Sequence, residues 1–246
     1  MKKEITQFLA QTFKNASKQK AVIGVSGGID SAVSLTLATQ ALGADNIIPV
    51  MLPYSDQDLS DGKLILDFNQ IPQENWQVIN IKSVVDAAAQ TAGVEMSDKV
   101  RFGNLMARTR MMMLYDLAKK NNALVCGTEN KSEKYLGYFT RFGDEASDLE
   151  PIAHLYKTQV RQLAETFNLP ASVIAKSPSA DLWAGQTDEQ ELGFSYEVAD
   201  QVLAQLIDEK KPVAAIGIEG VEPELIQKVI QRVEQMKFKQ QVPYSI

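Results

Sequence analysis

The 246 residues include 25 Lys and Arg against 31 Asp and Glu, a net charge of −6, with 45% apolar and 23% charged side chains. This composition excludes an intrinsically disordered chain, and no apolar run approaches the roughly 20 residues that a membrane-spanning helix needs. An acidic balance disfavours a nucleic-acid-binding surface, so neither membrane nor nucleic acid is expected as a partner.

In chain order, Ile5, Phe8, Leu9 and Phe13 give the N-terminus an amphipathic helical pattern rather than that of an export signal. Residues 20–25 form a short β-branched run before a glycine pair, after which Ala32, Val33, Leu35, Leu37 and Ala38 predict a buried helix from near Ser31 to near Gly43. Residues 46–52 read as a second strand ahead of Pro53, followed by a helical pattern (Leu59, Leu64, Ile65, Phe68) that stops before Pro72. A third strand is expected at 76–81, helices at 83–92 and 98–121, and a fourth strand at 123–126. From Pro151 onward the pattern is helical, at 157–167, 187–209 and 222–238.

Strands alternating with helices of this length predict the α/β class: an open parallel sheet with helices on both faces. The length suits one domain, 1–246, with a helical C-terminal part from about residue 187. Ligands of such sheets bind beyond the strand C-termini, here the loops after Val25, Leu52 and Cys126.

Single reactive residues say less. Met106, Met111, Met112 and Met113 lie on one long helix at spacings that suit packing. Cys126 ends an apolar strand with no basic neighbour and reads as a buried thiol. As the single cysteine it excludes an intramolecular disulfide and a multi-cysteine zinc site, and it suits a cytoplasmic protein. His154 is the one histidine, which removes Ser-His-Asp and multi-histidine metal chemistry.

The sharpest local signal is Ser26-Gly27-Gly28-Ile29-Asp30-Ser31, between the first strand and its helix. Glycines let an anion approach the main chain, the serines add hydroxyl donors, and the helix N-terminus contributes partial positive charge. The loop lacks the Lys-Ser/Thr end of a Walker A motif and does not fit Gly-x-Gly-x-x-Gly. A carboxylate within a phosphate loop repels its ligand unless a cation bridges them, so Asp30 points to magnesium.

This loop resembles the Ser-Gly-Gly-x-Asp-Ser signature of the N-type ATP pyrophosphatase superfamily, whose folds are Rossmann-like, of the adenine nucleotide alpha hydrolase type. Further stretches resemble the ammonia-dependent NAD synthetase family: Gly127-Thr128 with Glu133, Gly137-Tyr138-Phe139-Thr140-Arg141-Phe142-Gly143-Asp144 with Asp148, and Lys157. So do Lys176-Ser177-Pro178-Ser179-Ala180-Asp181-Leu182, the loop Trp183-Ala184-Gly185-Gln186 before Thr187-Asp188-Glu189, and Gly103-Asn104 with Ala107-Arg108-Thr109-Arg110-Met111.

The resemblance implies ATP contacts at Ser26, Gly27, Gly28, Ile29, Asp30, Ser31, Ala32, Val33, Thr128, Lys157 and Ser179, with magnesium held by Asp30 and Glu133. It implies substrate contacts at Arg108, Arg141, Asp144, Asp148 and Lys239, and catalytic weight on Asp30, Glu133 and Lys157. The implied reaction activates deamido-NAD as its adenylate and amidates it with ammonia, in a homodimer whose surface includes helix 98–121. Three departures fall on the substrate side: Glu145-Ala146 for Gly-Gly, Arg141 for Lys, and Phe238 for the His of a His-Lys pair. The alternatives are another ATP pyrophosphatase of the GMP synthetase or tRNA-modifying kind, or a nucleotide-binding module without chemistry. Absent Cys-x-x-Cys pairs disfavour tRNA thiolation, and the presence of Asp30, Glu133 and Lys157 together favours turnover.

Overall fold

The computed structural model describes every residue except Ala184, Val242, Pro243, Ser245 and Ile246. Helix α1 (Lys2–Asn15) leads into strand β1 (Ala21–Gly24), helix α2 (Ile29–Leu42), strand β2 (Ile47–Met51) and helix α3 (Ser60–Phe68). Strand β3 (Gln77–Val78) and helices α4 (Lys82–Ala92) and α5 (Lys99–Lys120) follow, then strand β4 (Leu124–Val125). The remainder is helical: α6 (Lys131–Leu136), α7 (Lys157–Thr166), α8 (Ala171–Ala175), α9 (Asp188–Leu192), α10 (Tyr196–Leu203) and α11 (Pro223–Met236).

The strands form one parallel sheet in the order β3-β2-β1-β4, with Ala21 opposite both Ile47 and Leu124. Side chains alternate across it with the two-residue period of a strand. Ala21, Ile23, Ile47 and Met51 face a core closed by α1, α2, α7 and α8, while Val22, Ile48 and Val50 face one closed by α4 and α5. Burial on both faces is why these strands read as unbroken apolar runs. A third core, with Leu136, Leu192, Tyr196, Val202, Val229 and Val233, packs α6, α9, α10 and α11 on each other. No helix among the described residues is long and apolar enough to cross a membrane.

The expected elements are all present, with changed bounds. The third strand is shorter than 76–81 because Pro53 on its neighbour has no N–H to return: Ile79 and Ile81 donate to the Met51 and Pro53 carbonyls (3.0 and 2.9 Å) without closing a ladder. The fourth is shorter than 123–126, and on its edge away from β1 the Asp148 carboxylate accepts from the Val125 N–H at 2.7 Å while Leu149 bridges to Cys126. The helix expected at 187–209 is cut by Gly193, whose φ of +74° ends α9 in a left-handed turn, and α10 begins after it. The α2 helix starts at Ile29, earlier than Ser31, because Gly28 serves as its N-cap.

β2 and β3 lie on one side of β1 and β4 lies on the other, so the order in which the chain adds parallel strands reverses between β1 and β4. The loops leaving their C-terminal ends diverge there and open the crevice where parallel sheets bind ligands.

Candidate active site

A cavity of about 540 Å³ lies at this crevice. Its wall includes Ser26, Asp30 and Ser31 from the β1–α2 turn, Thr128 and Glu133 after β4, and Asp144, Ser179 and Lys239 from farther along the chain.

The β1–α2 turn is held by its own side chains. The Ser26 and Ser31 hydroxyls are 3.2 Å apart, Ser31 donates to the Gly28 carbonyl at 2.9 Å, and the Gly28 N–H donates to Ser26 at 3.2 Å. Gly27 is required twice over. Its φ is +81°, and a Cβ there would stand 2.8 Å from that of Asp61. Ile29, Ala32 and Val33 are buried in the core, so from this stretch only the main chain and the serine hydroxyls are available to a phosphate.

Beside the turn, Lys157 donates to Asp30 at 2.5 Å and to Glu133 at 2.9 Å. Asn130 closes the ring: its amide donates to the other Asp30 oxygen at 2.8 Å, while its carbonyl oxygen accepts the Glu133 N–H at 3.0 Å as the N-cap of α6. Lys157 is only 5% exposed. Burial works against its ammonium, but Asp30, Glu133 and Asp188 outweigh that and hold it above the ordinary lysine range. Two carboxylates converging on one buried cation form a donor set that suits a cation.

The helices carrying these groups are clamped by Asp200 on α10. It accepts from Ser132 on α6 at 2.5 Å and from the Thr158 N–H and hydroxyl on α7 at 2.9 and 2.8 Å. Ser132 in turn accepts the Lys157 N–H at 2.8 Å. Asp188, 2% exposed, accepts from Tyr196 at 3.1 Å, and its other oxygen has no partner among the described residues. None of Asn130, Asp188 and Asp200 was singled out as a functional residue by sequence. The Asn-x-x-Glu spacing of a capping box could have flagged Asn130; Asp200 acts from a distant helix and leaves no local signal.

The remaining expected residues divide into two groups. Asp144 accepts the Thr140 N–H at 2.9 Å and lines the cavity with Thr128, Ser179 and Lys239. Arg108 lies instead on the exposed face of α5, donating to the Arg141 carbonyl at 3.2 Å, and Asp148 is spent on Val125; neither they nor Arg141 line the cavity. The loop before α9 is partly described: Gln57 donates to the Asp181 carbonyl at 2.9 Å and Leu182 packs on Gly103, while Ala184 lies outside the described residues.

Behind the cavity wall Glu129 and Glu150 form a buried acidic pair. Glu150 accepts from the Glu129 N–H at 3.0 Å and from Ser147 at 2.8 Å, whereas one Glu129 oxygen has no partner among the described residues. Burial, then repulsion from Glu150, pushes the Glu129 carboxyl up to about 9, and burial, opposed by the bonds from Ser147 and the Glu129 N–H, pushes that of Glu150 up to about 8.

Two expectations follow. Asn at position 200 keeps the shape but loses the charge-assisted bonds, so Asp200→Asn should lower stability by about 1.5–3 kcal/mol in urea denaturation. A change under about 0.5 kcal/mol would show that the clamp holds nothing. Glu129 is held protonated in the folded state up to about 9 and ionises near its ordinary 4.5 when unfolded, so it destabilises the fold increasingly as pH rises between those values. Glu129→Gln removes that term: its stability gain over wild type should be near zero at about pH 4 and grow toward about pH 9, and a gain independent of pH would refute the assignment.

A family model described as NAD synthase matches residues 1–243. The NH(3)-dependent NAD(+) synthetase of Fusobacterium nucleatum is 42% identical over 243 residues, covering 98% of this chain and 92% of that protein. Two solved structures superpose along the whole chain at 31% identity: an NMN synthetase from Francisella tularensis (TM-score 0.84, 96% of that chain covered) and an NH3-dependent NAD synthetase from Campylobacter jejuni in complex with the nitrate ion (TM-score 0.82, 97% covered). With its parallel sheet, its Ser-Gly-Gly turn and a family match along nearly its full length, this chain belongs to the NAD synthase family.

Proposed function

We propose that this protein is an ammonia-dependent NAD synthetase, a ligase that consumes ATP to convert the nicotinate carboxylate of deamido-NAD to the amide. The observation that carries the reading is that Asp30 and Glu133, joined by the buried Lys157, share one cavity wall with Ser26 and Ser31 of the Ser-Gly-Gly turn, a place for a polyphosphate and its counter-cation together. A carboxylate oxygen of the acceptor attacks the α-phosphorus of ATP, the bond to the bridging oxygen breaks, and pyrophosphate leaves. Ammonia then attacks the acyl carbon and loses a proton, and AMP departs with the electron pair of the broken C–O bond of the acyl–phosphate anhydride.

The chain's part is mainly positioning and charge. The Ser26 and Ser31 hydroxyls and the amides at the start of α2 hold the departing pyrophosphate, and Lys157 supplies positive charge to it. Thr128 and Ser179 line the ATP side of the cavity, and Asp144 and Lys239 the acceptor side. Asp30 and Glu133 would hold magnesium: their oxygens already share one cation, and no larger cage of His, Cys, Asp or Glu is present among the described residues. When bound, magnesium supplies charge neutralisation to the polyphosphate. A buried thiol at Cys126, pushed far above its ordinary range by burial, suits a cytoplasmic enzyme and no thiol chemistry.

The reading takes 1–246 as one working domain whose helical part from about 187 braces the site through Asp200. It also takes the enzyme as a homodimer. Val100, Arg108, Met112 and Tyr115 make an exposed stripe along α5, with Val100 67% and Met112 53% exposed. A second copy covering this stripe accounts for the position of Arg108 and Arg141 outside the cavity.

The deciding experiment follows pyrophosphate and NAD together from purified protein with ATP, magnesium, deamido-NAD and ammonium, omitting each in turn. NAD formation requiring all four is expected. The similarity to an NMN synthetase supports a second reading, in which nicotinate mononucleotide is the acceptor, and its preference over deamido-NAD in the same assay would establish that reading instead. Asp30→Ala and Glu133→Ala should each cost on the order of 10²–10³ in turnover, about 3–4 kcal/mol; near-normal rates at saturating magnesium would remove the metal assignment. Light scattering at micromolar concentration should report a dimer that Met112→Asp weakens, and a wild-type monomer would overturn that part.

A further inference from the structure

The cavity has a basic corner that the reaction as described above leaves partly unused. Arg232 on α11 and Lys239 in the turn that follows both line it. Each is anchored by main-chain carbonyls at the C-terminal end of α6: Arg232 Nε donates to the Leu136 carbonyl at 2.8 Å, and Lys239 Nζ to those of Gly137 and Phe139, both at 2.6 Å. Neither forms an ion pair with a carboxylate among the described residues, although Glu191 lines the same cavity. Arg141 adds a third positive charge nearby, its guanidinium stacked over the Phe238 ring at 5.2 Å.

Donor accounting separates the two cations. Lysine has three donors and two are taken here; a guanidinium has five, and the Leu136 carbonyl takes the one on Nε. Capping α6 therefore accounts for Lys239 but not for the terminal fork of Arg232. Burial holds both groups below their ordinary ranges, and for Lys239 the charges of Arg232 and Arg141 add to it, opposed by Asp144. An arginine remains charged throughout, so this corner carries positive charge that the described protein does not neutralise at contact distance.

We propose that the terminal fork of Arg232, with Lys239 beside it, binds an anionic oxygen group of the acceptor nucleotide, making Arg232 an acceptor-binding residue of this synthetase. The proposal rests on the reading of the cavity as a synthetase site, and the anion is a phosphate either of the nicotinate half or of the adenylate half. Planar fork geometry suits bidentate contact with phosphate oxygens. Binding an anion there also relieves the repulsion that Arg232 and Arg141 exert on Lys239.

The test measures binding of deamido-NAD and nicotinate mononucleotide by calorimetry, and KM and kcat where turnover occurs, for wild type, Arg232→Gln and Arg232→Lys. Arg232→Gln should weaken deamido-NAD on the order of ten- to hundredfold. KM for the acceptor should rise by more than kcat falls, KM for ATP should stay within about twofold, and Arg232→Lys should recover part of the loss. An equal loss for the mononucleotide places the anion in the nicotinate half, and a loss confined to deamido-NAD places it in the adenylate half. Unchanged acceptor affinity with a lowered melting temperature would reduce Arg232 to a cap of α6 and overturn the proposal, as would a loss that falls on ATP. If wild type binds deamido-NAD without turning it over, the synthetase reading fails while the Arg232 proposal is still decided by the binding ratio; if it binds neither nucleotide, both fail.

Discussion

The site depends on one constraint: two carboxylates, Asp30 and Glu133, converge in a partly buried space, where like charges need a cation between them. Lys157 supplies it, and Lys157 is buried more deeply than either partner. Removing the lysine would leave two like charges facing each other, and removing one carboxylate would leave a buried ammonium half-paired. The surrounding structure therefore has to fix three side chains from three helices at once. The sheet order does most of this, because β1 lies beside β4 and so brings α2 and α6 to the same edge. Asn130 then sets the two carboxylates relative to each other, and Asp200 sets α6 relative to α7.

The same constraint explains the neighbouring turn. A helix N-terminus attracts anions, but Asp30 sits in the first turn of α2, where its charge offsets the partial positive charge of the exposed amides. The turn by itself is then a weaker anion site than its glycines and serines suggest. Positive charge for a polyphosphate bound there, as proposed, would come from a cation next to Asp30, which makes the Ser-Gly-Gly segment and the carboxylate pair one unit. Gly27 belongs to this unit for a steric reason, since its left-handed backbone and its closeness to Asp61 leave no room for a side chain.

How much of this was legible in the sequence depended on the range over which each residue acts. Asp30, the glycines and the serines lie in one short segment, so the motif carried both the fold element and its chemistry. Buried strands announced themselves through continuous apolar runs, because both faces of the sheet are covered. The ends and edges of strands were less legible because they depend on the neighbour: β3 stops where Pro53 cannot donate, and the outer edge of β4 is taken by Asp148. Asp200 meets Ser132 across 68 residues and Thr158 across 42, and in the sequence it is one more acidic residue of an amphipathic helix. Nothing in the sequence marks Glu129 and Glu150, and only packing shows that they meet. Arg108 and Arg141 were legible as residues but not as places, since their position outside the cavity depends on how α5 faces its surroundings.

Charge also distinguishes the two ends of the cavity. Lys157 is already matched by two carboxylates, so its charge becomes available to a phosphate only when those carboxylates are otherwise occupied. Arg232 and Lys239 are held by neutral carbonyls, which orient a cation without cancelling it. A carbonyl anchor leaves the field of the group projecting into the cavity, whereas a carboxylate anchor quenches it at short range. A cavity that must accommodate two polyanions gains from this asymmetry. Two permanently unpaired clusters of cations would repel each other across a few hundred Å³ of poorly solvated space, while one exposed cluster and one masked cluster can coexist in a protein whose overall charge is negative. On the proposed reading the masked cluster is the one next to the pyrophosphate loop, so the strongest electrostatic binding at that end would be withheld until a counter-cation takes over the carboxylates. On this argument the lysine is as much a part of the resting structure as of the chemistry, and its two roles need the same pair of acidic partners.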